Sequence, residues 1–342
     1  MDDLRSRPTT VPLPARGRAD LIPERGTSPS TIGSRFMDQP RGSSRPGIDP
    51  DRIRRMGRWT WRLVRIPLFI TLSVFALFST LQTRLIFPGA QTQGQPYAQV
   101  RPPADADLVA LSTADGDRVV ALFGAALTRD GEAHPDAGRR PTLLYFYGNG
   151  MCLNDLMEQF DQFRRLGVNV LIPEYAGYGM SGGKPGEPGC RATADAAYDH
   201  LQSRRDVDPR TIVAVGWSLG GAVAIDLASR RPVAGLAAFS TFTSMVAMAR
   251  RNFPFLPSSL LLRHRFDNLA KIGRVSCPIL LMHGGADRLI PSAMMDRLAA
   301  SARTPVTKLT VKGADHNDFF LIGAAQVAES LDRFLESLPP AR

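Results

Sequence analysis

Cysteine is scarce in this chain. Its 342 residues hold three, Cys152, Cys190 and Cys277, too few and too scattered for a disulfide framework or a metal cluster. None is a good nucleophile, and Cys152 reads as a small residue at a helix start. If the surrounding region is extracytoplasmic a single pair is open, and the sequence does not choose which. Phosphate-binding glycine loops and dinucleotide fingerprints are also missing, so no cofactor and no metal are expected. No internal repeat is found. The formal net charge is +10, but residues 1–65 alone carry 14 basic and 7 acidic side chains, and the remainder is nearly balanced. A nucleic-acid partner is therefore not expected.

Apolar residues are few over positions 1–50, where Pro, Gly, Ser, Arg and Asp dominate without sustained periodicity. Such a segment cannot bury enough surface to fold, and a disordered basic tail is expected. Residues 51–87 read as a basic flank and a transmembrane anchor. Arg52, Arg54, Arg55, Arg58, Arg62 and Arg65 precede an uncharged apolar run over residues 66–81, about 24 Å long at 1.5 Å per residue, which flanking residues would extend across the membrane. Trp59 and Trp61 suit an interfacial belt, and the arginine excess before the run predicts a single-pass protein with a cytoplasmic N-terminus and an extracytoplasmic catalytic domain. A cleaved signal peptide would have a shorter tail, a shorter core and an A-x-A-like site, and a buried helix of the large domain, the other rival, fits the basic flank poorly. Residues 88–107, rich in Pro, Gln and Gly at their start, resemble a linker.

From residue 108 to 342 one large domain is expected. A hairpin is predicted from Leu108–Ser112 and Arg118–Leu122 around Asp115-Gly116-Asp117. Further strands are expected at Thr142–Tyr147, Val168–Pro173, Thr211–Val215, Leu236–Phe239, Ile279–His283 and Val306–Val311, separated by helical stretches. That alternation predicts an α/β fold with a mostly parallel central sheet and helices on both faces.

The chemistry lies where strands end. Thr211–Val215 runs into Gly216-Trp217-Ser218-Leu219-Gly220 and then an alanine-rich helix. The pentapeptide is short enough to occur by chance, but strand, tight turn and helix together make a nucleophile elbow presenting Ser218. A neutral hydroxyl needs a base to take its proton and a carboxylate to steady that base. Asp287 follows the strand ending at His283, and His316 follows the strand ending at Val311, both in loops at carboxyl ends. Of the five histidines, only His316 comes after both Ser218 and Asp287 and sits in such a loop. His283 reads as support beneath the acid loop. Asp315 and Asp318 rival Asp287, but adjacent residues seldom have the geometry to reach Nδ1. The backbone N–H groups of Leu219 and of Asn149, in the loop after Thr142–Tyr147, are the expected oxyanion donors.

These motifs carry a resemblance. Tyr145-Phe146-Tyr147-Gly148-Asn149-Gly150, Glu174 through Gly183, Gly216 through Gly221, His283 through Asp287 and Ala314-Asp315-His316-Asn317 occur in the order found in α/β-hydrolase-fold serine hydrolases. From about Leu108 onward the chain resembles in particular the membrane-anchored α/β-hydrolase-domain proteins related to depalmitoylating thioesterases. The resemblance implies hydrolysis of a carboxylic ester or thioester. Two positions depart from the family pattern: Tyr147 stands where those relatives usually have His, and Ala176 where a basic residue is common. A small lid is expected over 241–271, with Phe242, Met245, Phe253 and Phe255 contacting a small-molecule or lipid-like acyl substrate. A serine peptidase, an acyltransferase and an inactive membrane-tethered binding module remain alternatives. The oligomeric state is not legible.

Overall fold

The computed structural model describes residues 49–338; the tail expected over 1–50 lies outside them but for its last two positions. The described chain opens with one long helix, α1 (Pro50–Ile86), whose part from Trp59 onward is long and apolar enough to cross a membrane. Its side chains from Leu63 to Leu72 are largely bare, whereas Gln82 and Ile86 are buried against the body of the protein. From Leu63 to Leu72 α1 is thus uncovered, and only its last turns pack.

The segment that follows is not a loose tether. Two short 3₁₀ turns, Pro88–Thr92 and Pro96–Ala98, bury Gly89, Thr92 and Ala98. Thr92 Oγ1 accepts the Gly179 N–H at 2.9 Å, and the Gly94 N–H donates to the Gly179 carbonyl at 2.8 Å. A Cβ on Gly89 would run into the Tyr178 ring and the carbonyls of Asn149 and Met151. Composition suggested a spacer; specific backbone contacts at Gly89 and Thr92 make it a strap.

The remaining elements are β1 (Ala106–Ser112), β2 (Arg118–Gly124), β3 (Thr142–Phe146), α2 (Met157–Arg164), β4 (Asn169–Pro173), α3 (Glu187–Ser203), β5 (Ile212–Trp217), α4 (Leu219–Ala228), β6 (Gly235–Phe239), α5 (Met245–Asn252), α6 (Ser258–Leu261), α7 (Asn268–Ile272), β7 (Ile279–Gly284), α8 (Ala293–Ser301), β8 (Val306–Val311), α9 (Phe319–Ile322) and α10 (Ala324–Glu336). One eight-stranded sheet has the order β1-β2-β4-β3-β5-β6-β7-β8. β2 runs antiparallel to β1 and β4, and every other pairing is parallel.

Burial explains the sequence pattern. Every residue of β3, β4, β6 and β7 is buried, as expected for central parallel strands covered on both faces, which read as continuous apolar runs rather than alternations. The edge strands β1 and β8 are partly exposed, and β8 carries polar side chains accordingly. Parallel β3, β5, β7 and β8 bring their carboxyl ends to one edge of the sheet, so the loops after them converge although about 165 residues separate the ends of β3 and β8 in sequence.

Candidate active site

Ser218 sits between β5 and α4 with φ 56° and ψ −117°, a left-handed conformation that side chains other than glycine rarely adopt. The turn is held by close packing that only glycine allows. A Cβ on Gly216 would strike the Gly220 backbone, and one on Gly220 would strike the Phe146 carbonyl. The Ser218 N–H donates to the Phe239 carbonyl at 2.9 Å, and Thr241 Oγ1 donates to the Ser218 carbonyl at 2.8 Å. The strain is therefore fixed from both neighbouring strands.

Ser218 Oγ lies 2.9 Å from His316 Nε2, and His316 Nδ1 lies 2.8 Å from Asp287 Oδ2. All three residues are buried. The other oxygen, Asp287 Oδ1, accepts the N–H groups of Leu289 and Ile290 at 3.0 and 2.7 Å. A carboxylate can only accept, so Nδ1 of His316 carries the proton and Nε2 is free to accept from Ser218. Burial alone would raise the Asp287 pKa, but hydrogen bonds from His283, His316 and Ile290 outweigh it and hold the group well below the usual carboxylate range. The Trp217 indole stacks on the His316 ring at 5.1 Å between centroids and 28° between planes, which limits rotation of the imidazole.

The rival residues are engaged elsewhere. Asp315 pairs with the Arg288 guanidinium at 2.6 Å, and Asp318 accepts the Asp315 N–H at 2.6 Å. His134 accepts the Asp136 N–H, and His264 contacts Thr83 and the Glu187 N–H. His283 stands under the acid loop: its Nε2 is 2.8 Å from the Ile290 carbonyl and 3.3 Å from Asp287 Oδ2. Both neighbours are acceptors, so this nitrogen bears hydrogen. The three cysteines are unpaired and buried. Cys152 caps the turn Leu153–Leu156, and burial pushes its thiol up to about 11, which keeps it protonated and unreactive.

The loop expected to supply the Asn149 oxyanion donor is tied down by its other atoms. The Asn149 side-chain amide donates to the Ile86 carbonyl at the end of α1 at 2.8 Å. The Asn149 carbonyl accepts from the Gly89 N–H at 2.9 Å and from the Tyr178 hydroxyl at 3.0 Å. Its own N–H has no acceptor among the described residues. Leu219 opens α4, so its N–H has no carbonyl one turn back. Both residues line a cavity of about 220 Å³ with Ser218. Tyr147, the departure from the family pattern, donates its hydroxyl to the buried Glu174 carboxylate, which also accepts the Leu153 N–H at 3.0 Å.

Of the expected substrate contacts, Phe242, Met245 and Phe253 line the cavity with Ser218. Phe255 does not. Its ring is fully exposed because the turn between α5 and α6 points it outward beside α1, where it lines a second groove. The residues that the sequence reading missed come from α1 itself: Phe78, Gln82, Leu85 and Ile86 form part of the cavity wall. A polar Gln82 just past the apolar run was the available signal.

An eight-stranded sheet with a single antiparallel second strand, a strained serine elbow after β5, and acid and histidine loops after β7 and β8 together define a protein of the α/β-hydrolase fold. Comparison with known proteins agrees. Residues 146–270 match the alpha/beta hydrolase family. Alpha/beta hydrolase domain-containing protein 17B of Xenopus tropicalis is 31% identical over 224 residues, covering 65% of this chain and 73% of that protein. An uncharacterized protein of Mycobacterium tuberculosis is 34% identical over 274 residues, covering 80% of this chain and 94% of that one. Among solved structures, the Pyrococcus furiosus esterase PF2001 superposes with a TM-score of 0.56 at 18% identity, covering 70% of this chain and 98% of its own. The chain belongs to the alpha/beta hydrolase family, which places it among hydrolases.

Proposed function

We propose that the protein is a membrane-anchored serine hydrolase that cleaves a carboxylic ester or thioester through an acyl-enzyme intermediate. The observation that carries this reading is the unbroken relay from Ser218 Oγ to His316 at 2.9 Å and from His316 to Asp287 at 2.8 Å, opening on a cavity with a mainly apolar lining. His316 Nε2 takes the Ser218 proton as Oγ bonds to the substrate carbonyl carbon. The carbonyl oxygen becomes an oxyanion and accepts hydrogen bonds from the Leu219 and Asn149 N–H groups, worth about 3 kcal/mol per donor in comparable sites. The tetrahedral adduct then expels the alcohol or thiol, which takes the proton from His316, leaving an acyl-Ser218 ester. Water, deprotonated by the same nitrogen, attacks that ester; the carboxylic acid leaves and Ser218 regains its proton. Asp287 stays ionised and steadies the imidazolium at both stages.

α1 is the proposed anchor, with the arginine-rich side cytoplasmic and the hydrolase body on the opposite side. Retention in the pellet after a carbonate wash is the expected behaviour. Intact-mass measurement after fluorophosphonate treatment tests the nucleophile. One adduct on the wild type and none on Ser218→Ala is expected. An adduct that persists on the variant would remove Ser218 from the mechanism.

A further inference from the structure

The site cavity does not end at the lid. It shares Phe78, Leu85, Asn252 and Phe253 with a larger groove of about 690 Å³ that runs along α1 from Ile70 to Leu85, opposite the Asn252–Leu256 segment. This outer groove is almost wholly apolar, being lined by Val74, Phe75, Leu81, Phe255 and their neighbours. One wall of the route to Ser218 is therefore the helix that the sequence marks as the anchor.

Where the bilayer lies follows from length. Arg65 and Arg84 close the uncharged stretch on its two sides, so a hydrocarbon layer takes up the roughly 18 helical residues from Ile66 to Thr83, about 27 Å. The groove spans Ile70 to Leu85 and so lies almost wholly at membrane depth. The hydrolase rim carries matching features on the same side: Phe253, Phe255 and Leu260 are 53%, 100% and 83% exposed, and Arg250 and Arg251 beside them are also exposed. Exposed aromatic and aliphatic side chains next to arginines are the composition of a surface that dips into an anionic membrane interface. α1 is also fastened to this rim. Gln82 bridges Leu261 and Arg263, the Arg263 guanidinium donates to Ser79 Oγ at 2.7 Å, and Phe78 meets Phe253 edge-on at 6.3 Å.

We propose that the groove between α1 and the Asn252–Leu256 segment admits the acyl chain of a bilayer lipid sideways from the membrane, and that the lipid's ester then sits at Ser218 with the chain lying back along α1. The occupant is a lipid of the membrane because the groove opens at hydrocarbon depth and its lining is apolar. The proposal rests on the serine-hydrolase reading for the chemistry, but not for the binding.

Two measurements on the full chain separate them. In the first, Ser218→Ala protein is placed in nanodiscs of phosphatidylcholine and phosphatidylglycerol that contain a phosphatidylcholine with a diazirine midway along one acyl chain, then irradiated and peptide-mapped. Adducts are expected on Met248 or Leu262, which are buried and line the inner cavity, so that a lipid merely surrounding α1 cannot reach them. Adducts confined to Leu63–Leu72 would overturn the proposal. In the second, Val74→Trp, which fills the outer groove, is expected to cut hydrolysis of a bilayer-embedded long-chain ester at least tenfold more than hydrolysis of a soluble acetyl ester; equal effects on the two would overturn it. Cleavage of a vesicle-tethered S-acyl peptide, with no cleavage of any glycerolipid, would overturn the choice of a lipid. Because the cross-linking uses a variant without the serine hydroxyl, a wild type that takes no fluorophosphonate would count against the nucleophile alone.

Discussion

Gln82 of α1 completes the backbone hydrogen bonding of the Leu261–Arg263 segment, within the stretch expected to form a lid. Its amide nitrogen donates to the Leu261 carbonyl at 3.2 Å, and its amide oxygen accepts the Arg263 N–H at 2.8 Å. The side chain is almost completely buried. Removing it leaves a donor and an acceptor of the lid unpaired, at about 1–3 kcal/mol each. Gln82→Leu is expected to raise amide hydrogen exchange at Arg263 and along Ser258–Leu262 in detergent-solubilised protein, while β5 and β7 keep their protection. Uniform protection across the lid in the variant would mean that α1 does not hold it.

His283 should act on the reaction only through Asp287. Its Nε2–H reaches the Ile290 carbonyl at 2.8 Å, and that residue's N–H fixes Asp287 Oδ1. His283→Phe is expected to lower kcat by roughly tenfold with little change in KM, whereas Asp287→Asn should lose about 10³–10⁴-fold. A His283 variant as impaired as the Asp287 variant would make it an equal partner rather than a support.

The elbow leaves no room for a methyl group at Gly220. A Cβ there meets the Phe146 carbonyl, and backbone on both sides cannot yield without displacing β3 or α4. Gly220→Ala is expected to destabilise by about 3 kcal/mol or more, visible as a lowered Tm. An unchanged Tm would show that the elbow has slack.

Glu174 gives stability a pH dependence of its own. Burial, opposed by hydrogen bonds from Tyr147 and the Leu153 N–H, raises its pKa from 4.5 to about 7. A carboxyl raised in the folded state contributes stability that is fully present below its unfolded value and is lost as pH climbs through 7, here about 3 kcal/mol. Glu174→Gln should flatten the Tm profile between about pH 4.5 and 7. A profile of the same slope in both proteins would remove Glu174 as its source.

Much of this was legible because α/β sheets write themselves plainly. The runs at Thr142, Thr211 and Ile279 became β3, β5 and β7 within a residue or two, since a strand buried on both faces tolerates little but apolar side chains. Ser218 and Asp287 were singled out because each follows such a run, and His316 because it follows the more polar edge strand β8; the parallel topology brings those ends together. What escaped was contact between segments whose composition suggested independence. The Pro88–Ala98 stretch read as a spacer, and its packing depends on single atoms of Gly89 and Thr92 that no composition reveals. Phe255 read as a pocket residue because aromatic character fixes a preference for apolar surroundings but not which apolar surface. Phe78 read only as part of the apolar run for the same reason, although it lines the cavity with Ser218.

On the proposed reading of α1 as the anchor, the bond from the Asn149 amide to its last carbonyl makes attachment and competence one property. A protease that cut after Ile86 would then free a body whose Asn149 loop had lost its tether and whose cavity had lost a wall. Shedding would switch the proposed hydrolase off rather than send it elsewhere.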